Sequence, residues 1–188
     1  MKNTNVFITI DGVDGVGKTT VAQLLASDGM FHYYKSPAGP FAQLRKEVDN
    51  HATPIERYCF YRTATQYDSD QISQLLKTTP VVCDRYIAST AAYHIAMDAR
   101  IRVIHGDGGL LNPDFAFLLG ARSEIRDKRI LERAKMLSDA KLEGDSALLD
   151  RVAQIFVSFG LIYIDTSDIT AEEVTTEIRC VVLRGGQT

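Results

Sequence analysis

The residues with the plainest chemistry sit near the start of the chain. Gly12-Val13-Asp14-Gly15-Val16-Gly17-Lys18-Thr19 follows the pattern G-x-x-x-x-G-K-[ST], and Thr20 extends it. Glycines in such a run let the backbone turn tightly, so that successive N–H groups converge on phosphate oxygens. Lys18 adds a mobile cation for the outer phosphates, and the Thr19 hydroxyl is placed to ligate Mg²⁺. A helix opening near Lys18 contributes the positive end of its dipole. The flanks agree with this reading. Val6 to Ile10 is apolar and rich in β-branched residues, whereas Val21, Ala22, Leu24, Leu25 and Ala26 recur at helical spacing. A strand, a glycine loop and a helix N-terminus in that order predict a nucleoside triphosphate site.

A second cluster follows the short apolar run Val81-Val82-Cys83. Asp84 can order Mg²⁺ or its waters, and Arg85 beside it offers a planar fork to a phosphate. Ser89 and Tyr93 are i and i+4 on the helix expected next, so both can face one pocket. An ordinary surface ion pair and a core aromatic would leave the same letters, and both readings stay open here. Further on, Arg126, Arg129 and Arg133 recur at i, i+3 and i+7, which predicts three guanidiniums along one helical face. Such a face can close over phosphoryl oxygens as charge develops on them. The alternative is a solvated face with local pairs such as Arg126 with Asp127.

These residues need a frame to hold them. The patterns predict strands at 6–10, 30–35, 81–83, 115–119 and 161–164. Between them fall helices after Lys18, at 41–48, 54–77, 88–99 and 123–136, one ending near Phe159, and one over 171–183. Ser36 to Pro40 reads as a break in regular structure, Gly106 to Gly109 as a loop, and Gly144-Asp145 as a polar break. Strands alternating with helices imply an α/β fold, a parallel sheet covered on both faces. In such sheets ligands lie beyond the carboxyl ends of the strands, which is where Asp11 to Lys18, Lys35 to Gly39, Asp84 to Tyr86, Gly120 and Asp165 to Ser167 fall.

Composition narrows the class without deciding it. With 188 residues, 45% hydrophobic and a net charge of −3, the chain reads as one domain over 1–188 with an ordinary core. Its acidic balance suggests neither nucleic acid nor membrane as partner, and no apolar run approaches a bilayer span. Cys59, Cys83 and Cys180 are widely spaced and read as buried thiols in a reducing, cytoplasmic setting.

The glycine loop with its internal Asp14, the D-R-Y-x-x-S-x-x-A-Y segment at 84–93 and Asn112-Pro113-Asp114 together resemble the thymidylate kinase family, from about Phe7 to Val174. The resemblance implies a P-loop NTPase with a five-stranded parallel sheet and a short helical lid at about 122–145, usually as a homodimer. It implies transfer of the γ-phosphoryl group of ATP, with Mg²⁺ at Thr19 and Asp84, to a deoxynucleoside monophosphate, foremost dTMP. Asp14, Lys18, Arg85 and Arg129 would then be catalytic, and Gly12 to Thr20 would hold the ATP phosphates. Arg126, Arg133, Asp165 and Thr166 would border the adenine and the lid. With no basic residue at Val13, Asp14 or Val16, the resemblance is to the bacterial kind, whose arginines sit in the lid. Asp14, Lys35, Pro37, Arg45, Phe60, Arg62, Arg85, Ser89 and Tyr93 would surround the acceptor. Two positions depart from the pattern: Ser36 stands for a glutamate, and Ala64 for an arginine that stacks near the base.

Two other readings stay in view. A deoxynucleoside kinase phosphorylating a 5′-OH needs a general base, and Asp11 stands after the first strand. A phosphate-bearing acceptor needs cations instead, and Lys35, Arg45 and Arg85 are candidates. A regulator lacking activity would explain the departures at Ser36 and Ala64. A GTPase is excluded by the absence of an N-K-x-D segment.

Overall fold

The computed structural model describes residues 5–103, 109–136 and 146–185. Its strands are β1 (Phe7–Asp11), β2 (His32–Lys35), β3 (Val81–Asp84), β4 (Phe115–Gly120) and β5 (Ile162–Asp165). They form one parallel sheet in the order β2-β3-β1-β4-β5. The helices among the described residues are α1 (Lys18–Ala26), α2 (Gly39–His51), α3 (Pro54–Leu75), α4 (Ile87–Met97), α5 (Ser123–Met136), α6 (Ser146–Val157) and α7 (Ala171–Gly185). The α/β architecture expected from the alternating pattern is the one observed.

β1 lies in the middle, with Phe7, Ile8 and Ile10 apolar and all five positions buried. Its last residue, Asp11, takes its side-chain hydrogen bonds from Tyr86 and Ser89 at the start of α4. Ile8, Ile10 and Val82 pack with Val21 and Leu25 of α1 and with Val174 and Ile178 of α7. Phe7, Val81 and Cys83 pack on the opposite face with Ile72 of α3, Leu76 and Tyr86. Alternate side chains of the central strands thus feed two separate cores, and the sheet is held from both sides.

Local signals set several boundaries. Thr53 and Glu56 form a capping box at the start of α3, with Pro54 in its first turn. α2 begins earlier than expected, at Gly39. Pro40 opens the helix instead of breaking it, because a first-turn residue has no helical N–H bond to lose. β2 starts at His32, not at residue 30, after a turn in which Met30 N–H donates to Asp28. The segment Asn112-Pro113-Asp114 serves the fold, since Asp114 exchanges hydrogen bonds with the Phe7 backbone, both at 2.8 Å, and sets the entry of β1. Of the three cysteines only Cys83 is buried; Cys59 and Cys180 are exposed on α3 and α7, correcting the expectation of three buried thiols.

The Arg133 side chain, lid residues 137–145 with the break at Gly144-Asp145, and Gly106 to Gly108 lie outside the described residues. The carboxyl ends of β1, β3, β4 and β5 bring Asp11, Asp84, Gly120 and Asp165 to one edge of the sheet.

Candidate active site

The loop between β1 and α1 is built around its glycines. Gly15 sits at φ 87°, and a Cβ there would fall 2.7 Å from Arg126 Cγ, so α5 can approach the loop only over glycine. Lys18 is 5% exposed and bends back: Nζ donates to the Val13 carbonyl at 2.6 Å and lies 3.9 Å from Asp14. Expected as a mobile cation, it is held against its own loop. Burial, helped by the neighbouring Arg85 charge, brings its pKa down to about 7, although Asp14 and Asp84 pull the other way.

A cleft of about 700 Å³ opens over this loop. Lys18, Thr19 and Thr20 form its floor, Lys35 and Arg129 lie on its walls, and Ile169, Ala171 and Val174 give it an apolar flank. Thr19 Oγ1 donates to Asp84 Oδ2 at 2.6 Å, and Tyr33 OH reaches the same oxygen at 3.3 Å. The other oxygen, Asp84 Oδ1, is buried and has no hydrogen-bond partner among the described residues. A hydroxyl and a carboxylate with an unsatisfied oxygen are hard donors at bonding range of one another, and they fit Mg²⁺.

A second cavity, of about 410 Å³, adjoins the first, and Asp14, Arg45 and Arg85 line both. Arg85 has φ 71°, a rare conformation for a non-glycine residue, fixed by its N–H bond to the Ile10 carbonyl at 3.0 Å. That turn aims its guanidinium at the junction, where Nη2 contacts the Asp14 carboxylate and the Tyr93 ring lies 5.5 Å from its carbon. Burial works against the Arg85 charge, but Asp14 and Tyr93 outweigh it and raise its pKa. Ser36, Pro37, Ser89 and Tyr93 line the cavity near this junction, and Arg57, Tyr61, His94 and Met97 line it but not the cleft.

Other expected residues stand elsewhere. Ser89 lines the cavity, but its Oγ donates to Asp11 at 2.6 Å, and Asp11 also accepts the Tyr86 and Ser89 backbone N–H groups at 3.1 and 3.0 Å. Asp11 therefore caps α4 from below. It is fully buried, burial raises its pKa, and it lines neither large cavity, which removes it as a base for an acceptor hydroxyl. Lys35 lies on the cleft side, 3.9 Å from Asp84, and not in the second cavity. Phe60 packs at a tilt against Phe41, with ring centroids 5.5 Å apart, and edge-on to Tyr61 at 5.3 Å; neither it nor Arg62 lines either cavity. Tyr61 does, one residue on.

The three-arginine face also divides. Arg129 lines the cleft and donates to the Thr166 hydroxyl at 3.0 Å and carbonyl at 2.7 Å. Arg126 is 3% exposed, pinned between Gly15, Asp127 at 3.1 Å and Asp150 at 3.3 Å, and lines neither cavity. Thr166 is on the cleft wall, whereas exposed Asp165 turns away to accept from Ser167. Where the sequence shows Ser36 in place of a glutamate, the structure shows why serine fits. Its hydroxyl donates at 2.5 Å to Asp68, a buried carboxylate of α3 that also receives Tyr34 OH and Ala38 N–H.

A family model described as thymidylate kinase matches residues 10–178, from the end of β1 into α7. The chain belongs to the thymidylate kinase family. Among relatives, the probable thymidylate kinase of Methanocaldococcus jannaschii is 28% identical over 187 residues, covering 93% of this chain and 94% of that one. That of Archaeoglobus fulgidus is 28% identical over 190 residues, with 94% of each chain covered. The thymidylate kinase of Desulfotalea psychrophila is 26% identical over 175 residues, covering 86% of this chain and 85% of that one. A solved thymidylate kinase of Candida albicans superposes with a TM-score of 0.74 at 20% identity, covering 97% of this chain and 93% of that one, which bears on the fold alone.

Within this family frame, the residues missed by sequence reasoning are those of the second cavity's remote end. Arg57 and Tyr61 are spaced by four on α3, and Thr90 and His94 by four on α4. Those spacings are visible in the sequence, but nothing in them says which face meets a cavity.

Proposed function

We propose that this protein is an ATP-dependent nucleoside monophosphate kinase that converts dTMP to dTDP, acting as a single kinase domain. The observation that carries the reading is the wall shared by the two cavities. Two phosphate-bearing ligands would meet there in this reading at a half-buried arginine, Arg85, with the helix N-terminus of α1 on one side. In this reading the cleft takes ATP and the second cavity takes the monophosphate. Lys18 exchanges the Val13 carbonyl for the outer phosphates, and the loop N–H groups bind the same oxygens. Arg85 holds the acceptor phosphate, and Asp14 fixes the direction of its fork. Arg129 is poised to leave Thr166 for the phosphoryl group as its charge spreads, which stabilises the transition state more than the ground state. Thr19 and Asp84 would hold Mg²⁺, which supplies neutralising charge to the phosphate oxygens. No helix among the described residues is long and apolar enough to cross a membrane. The homodimer and the cytoplasmic setting implied by the family resemblance belong to the same proposal.

A nucleoside acceptor is the weaker reading, because Asp11 is committed to α4 and a 5′-OH would leave Arg85 without a phosphate. The test is ADP release across ATP with dTMP, thymidine and the other deoxynucleotides. Turnover of dTMP with little of thymidine is expected. Robust turnover of thymidine with none of dTMP would overturn the proposal.

A further inference from the structure

Asp68 of α3 is an acidic group that lines neither cavity. It is fully buried, and among the described residues no cation pairs with it. Its carboxylate instead collects three donors from one stretch of chain: Tyr34 OH at 2.9 Å, Ser36 Oγ at 2.5 Å and Ala38 N–H at 3.1 Å. Burial raises its pKa, and those three bonds pull the other way. An apolar side chain would fill the same space without the desolvation cost of a carboxylate. What the carboxylate adds is direction, since it fixes the end of β2, the turn after it and the N-cap of α2 together.

α2 needs such a hold. None of its residues is buried, and its N-cap, Ala38, has no side-chain oxygen to offer the first turn. An anion at that end also suits the helix dipole. The residue before Asp68 adds a second grip, because a Cβ on Gly39 would fall 2.7 Å from the Tyr67 hydroxyl. The stretch held in this way supplies Ser36, Pro37, Arg45, Asp49 and Asn50 to the wall of the second cavity.

We propose that Asp68 is a positioning residue for the phosphate-bearing acceptor. From outside the cavity it clasps the turn between β2 and α2, and so keeps Ser36, Pro37 and Arg45 in place around that ligand. The assignment deepens the kinase reading above and rests on it. The cleft takes its floor from residues 14–21, which the clasp does not touch. Loss of the clasp therefore weakens the acceptor and leaves ATP nearly unaffected.

The test is steady-state kinetics of the full chain with dTMP and ATP varied separately, on wild type, Asp68→Leu, Asp68→Asn, Ser36→Ala and Ser36→Ala with Asp68→Leu, with melting curves alongside. Asp68→Leu should lower kcat/KM for dTMP by about 10–100-fold, mainly through KM, and move the KM for ATP by about twofold or less. Asp68→Asn can accept from Tyr34 and Ala38 and donate to the Ser36 oxygen, so it should stay within about threefold of wild type. Ser36→Ala should cost dTMP a smaller factor, and nothing further once Asp68 is leucine. If Asp68→Leu fails to fold, Tyr34→Phe carries the same comparison of the two KM values, since Tyr34 lines neither cavity and loses one bond. A purely structural role would lower the melting temperature and leave the dTMP kinetics of the folded protein unchanged. That result overturns the assignment, as do equal losses for dTMP and ATP, an Asp68→Asn loss as large as that of Asp68→Leu, or additive effects at Ser36 and Asp68. Wild type inert toward every monophosphate overturns the kinase reading. Amide hydrogen exchange then decides the clasp: faster exchange confined to residues 36–51 in the variant supports it, and unchanged or uniformly faster exchange overturns it.

Discussion

The two cavities are built by different means. The cleft over β1 and α1 draws most of its polar lining from one continuous run, Asp14 to Thr20, at the N-terminus of α1. The adjoining cavity takes side chains from α2, α3, α4 and α6, with no segment supplying the whole. Backbone recognition of phosphate needs a turn shape, so a few glycines and a lysine suffice to encode it. Side-chain recognition of a nucleoside needs several helices at fixed rotations, and the code is spread accordingly.

The largest expected effect tests the cleft alone. Lys18→Ala should lower kcat by about 10³-fold or more on every acceptor, since it removes a cation from the phosphates in the transition state. A variant with near-normal turnover would show that the buried lysine serves packing only. Next, Arg129→Ala should lower kcat by roughly 10²-fold with smaller changes in KM, because its partner in the resting structure is Thr166 and not a substrate. An unchanged kcat would return Arg129 to a purely structural role. Arg85→Lys probes the shared wall. It keeps the charge but loses the fork, and should cost roughly 1.5–3 kcal/mol in kcat/KM for dTMP. Equal losses on dTMP and thymidine would blur the contrast between the two cavities.

The smallest effect is a proton. Lys18 titrates near pH 7 in the folded protein and near the ordinary lysine value when unfolded. Between those values the unfolded chain binds the extra proton, so the lysine's contribution to stability rises with pH through that window and is least favourable below it. Anionic phosphates on Nζ should restore the proton. Binding of a non-hydrolysable ATP analogue at pH 8 should therefore take up close to one proton, measured by calorimetry in buffers of different ionisation heat. Lys18→Met should show none, and a wild type without uptake would mean that the lysine is already charged.

The frame was almost wholly legible in the sequence, because short β-branched runs and 3.6-residue periodicity report burial directly. The cleft was legible for another reason, since the run of glycines ending in Lys18 and Thr19 specifies a turn shape at a helix N-terminus. The second cavity was not. Phe60 and Tyr61 are neighbours in sequence, but one residue turns a helix by about 100°, and that rotation takes Phe60 to Phe41 and Tyr61 to the cavity. Arg126 and Arg129 shared a predicted face, yet Gly15 and Asp150 draw the first inward and Thr166 holds the second at the cleft. Asp11 looked like a candidate base, and only the structure shows α4 resting on it. Each of these depends on what the neighbouring element presents, which a single sequence does not record.

The contact between Asp14 and Arg85 has a thermodynamic consequence of its own. Arg85 depresses the charge of Lys18, whereas Asp14, which contacts Arg85 at the wall between the cavities and lies 3.9 Å from Lys18 on the cleft floor, supports it. A dianionic acceptor that engages Arg85 offsets that positive field and releases Asp14 toward Lys18, which favours the protonated lysine that a triphosphate needs. Binding at the two sites is then linked, and linkage is reciprocal: by whatever factor the monophosphate tightens ATP, ATP tightens the monophosphate. One ion pair would make each ligand an activator of the other's site, without any movement of the backbone.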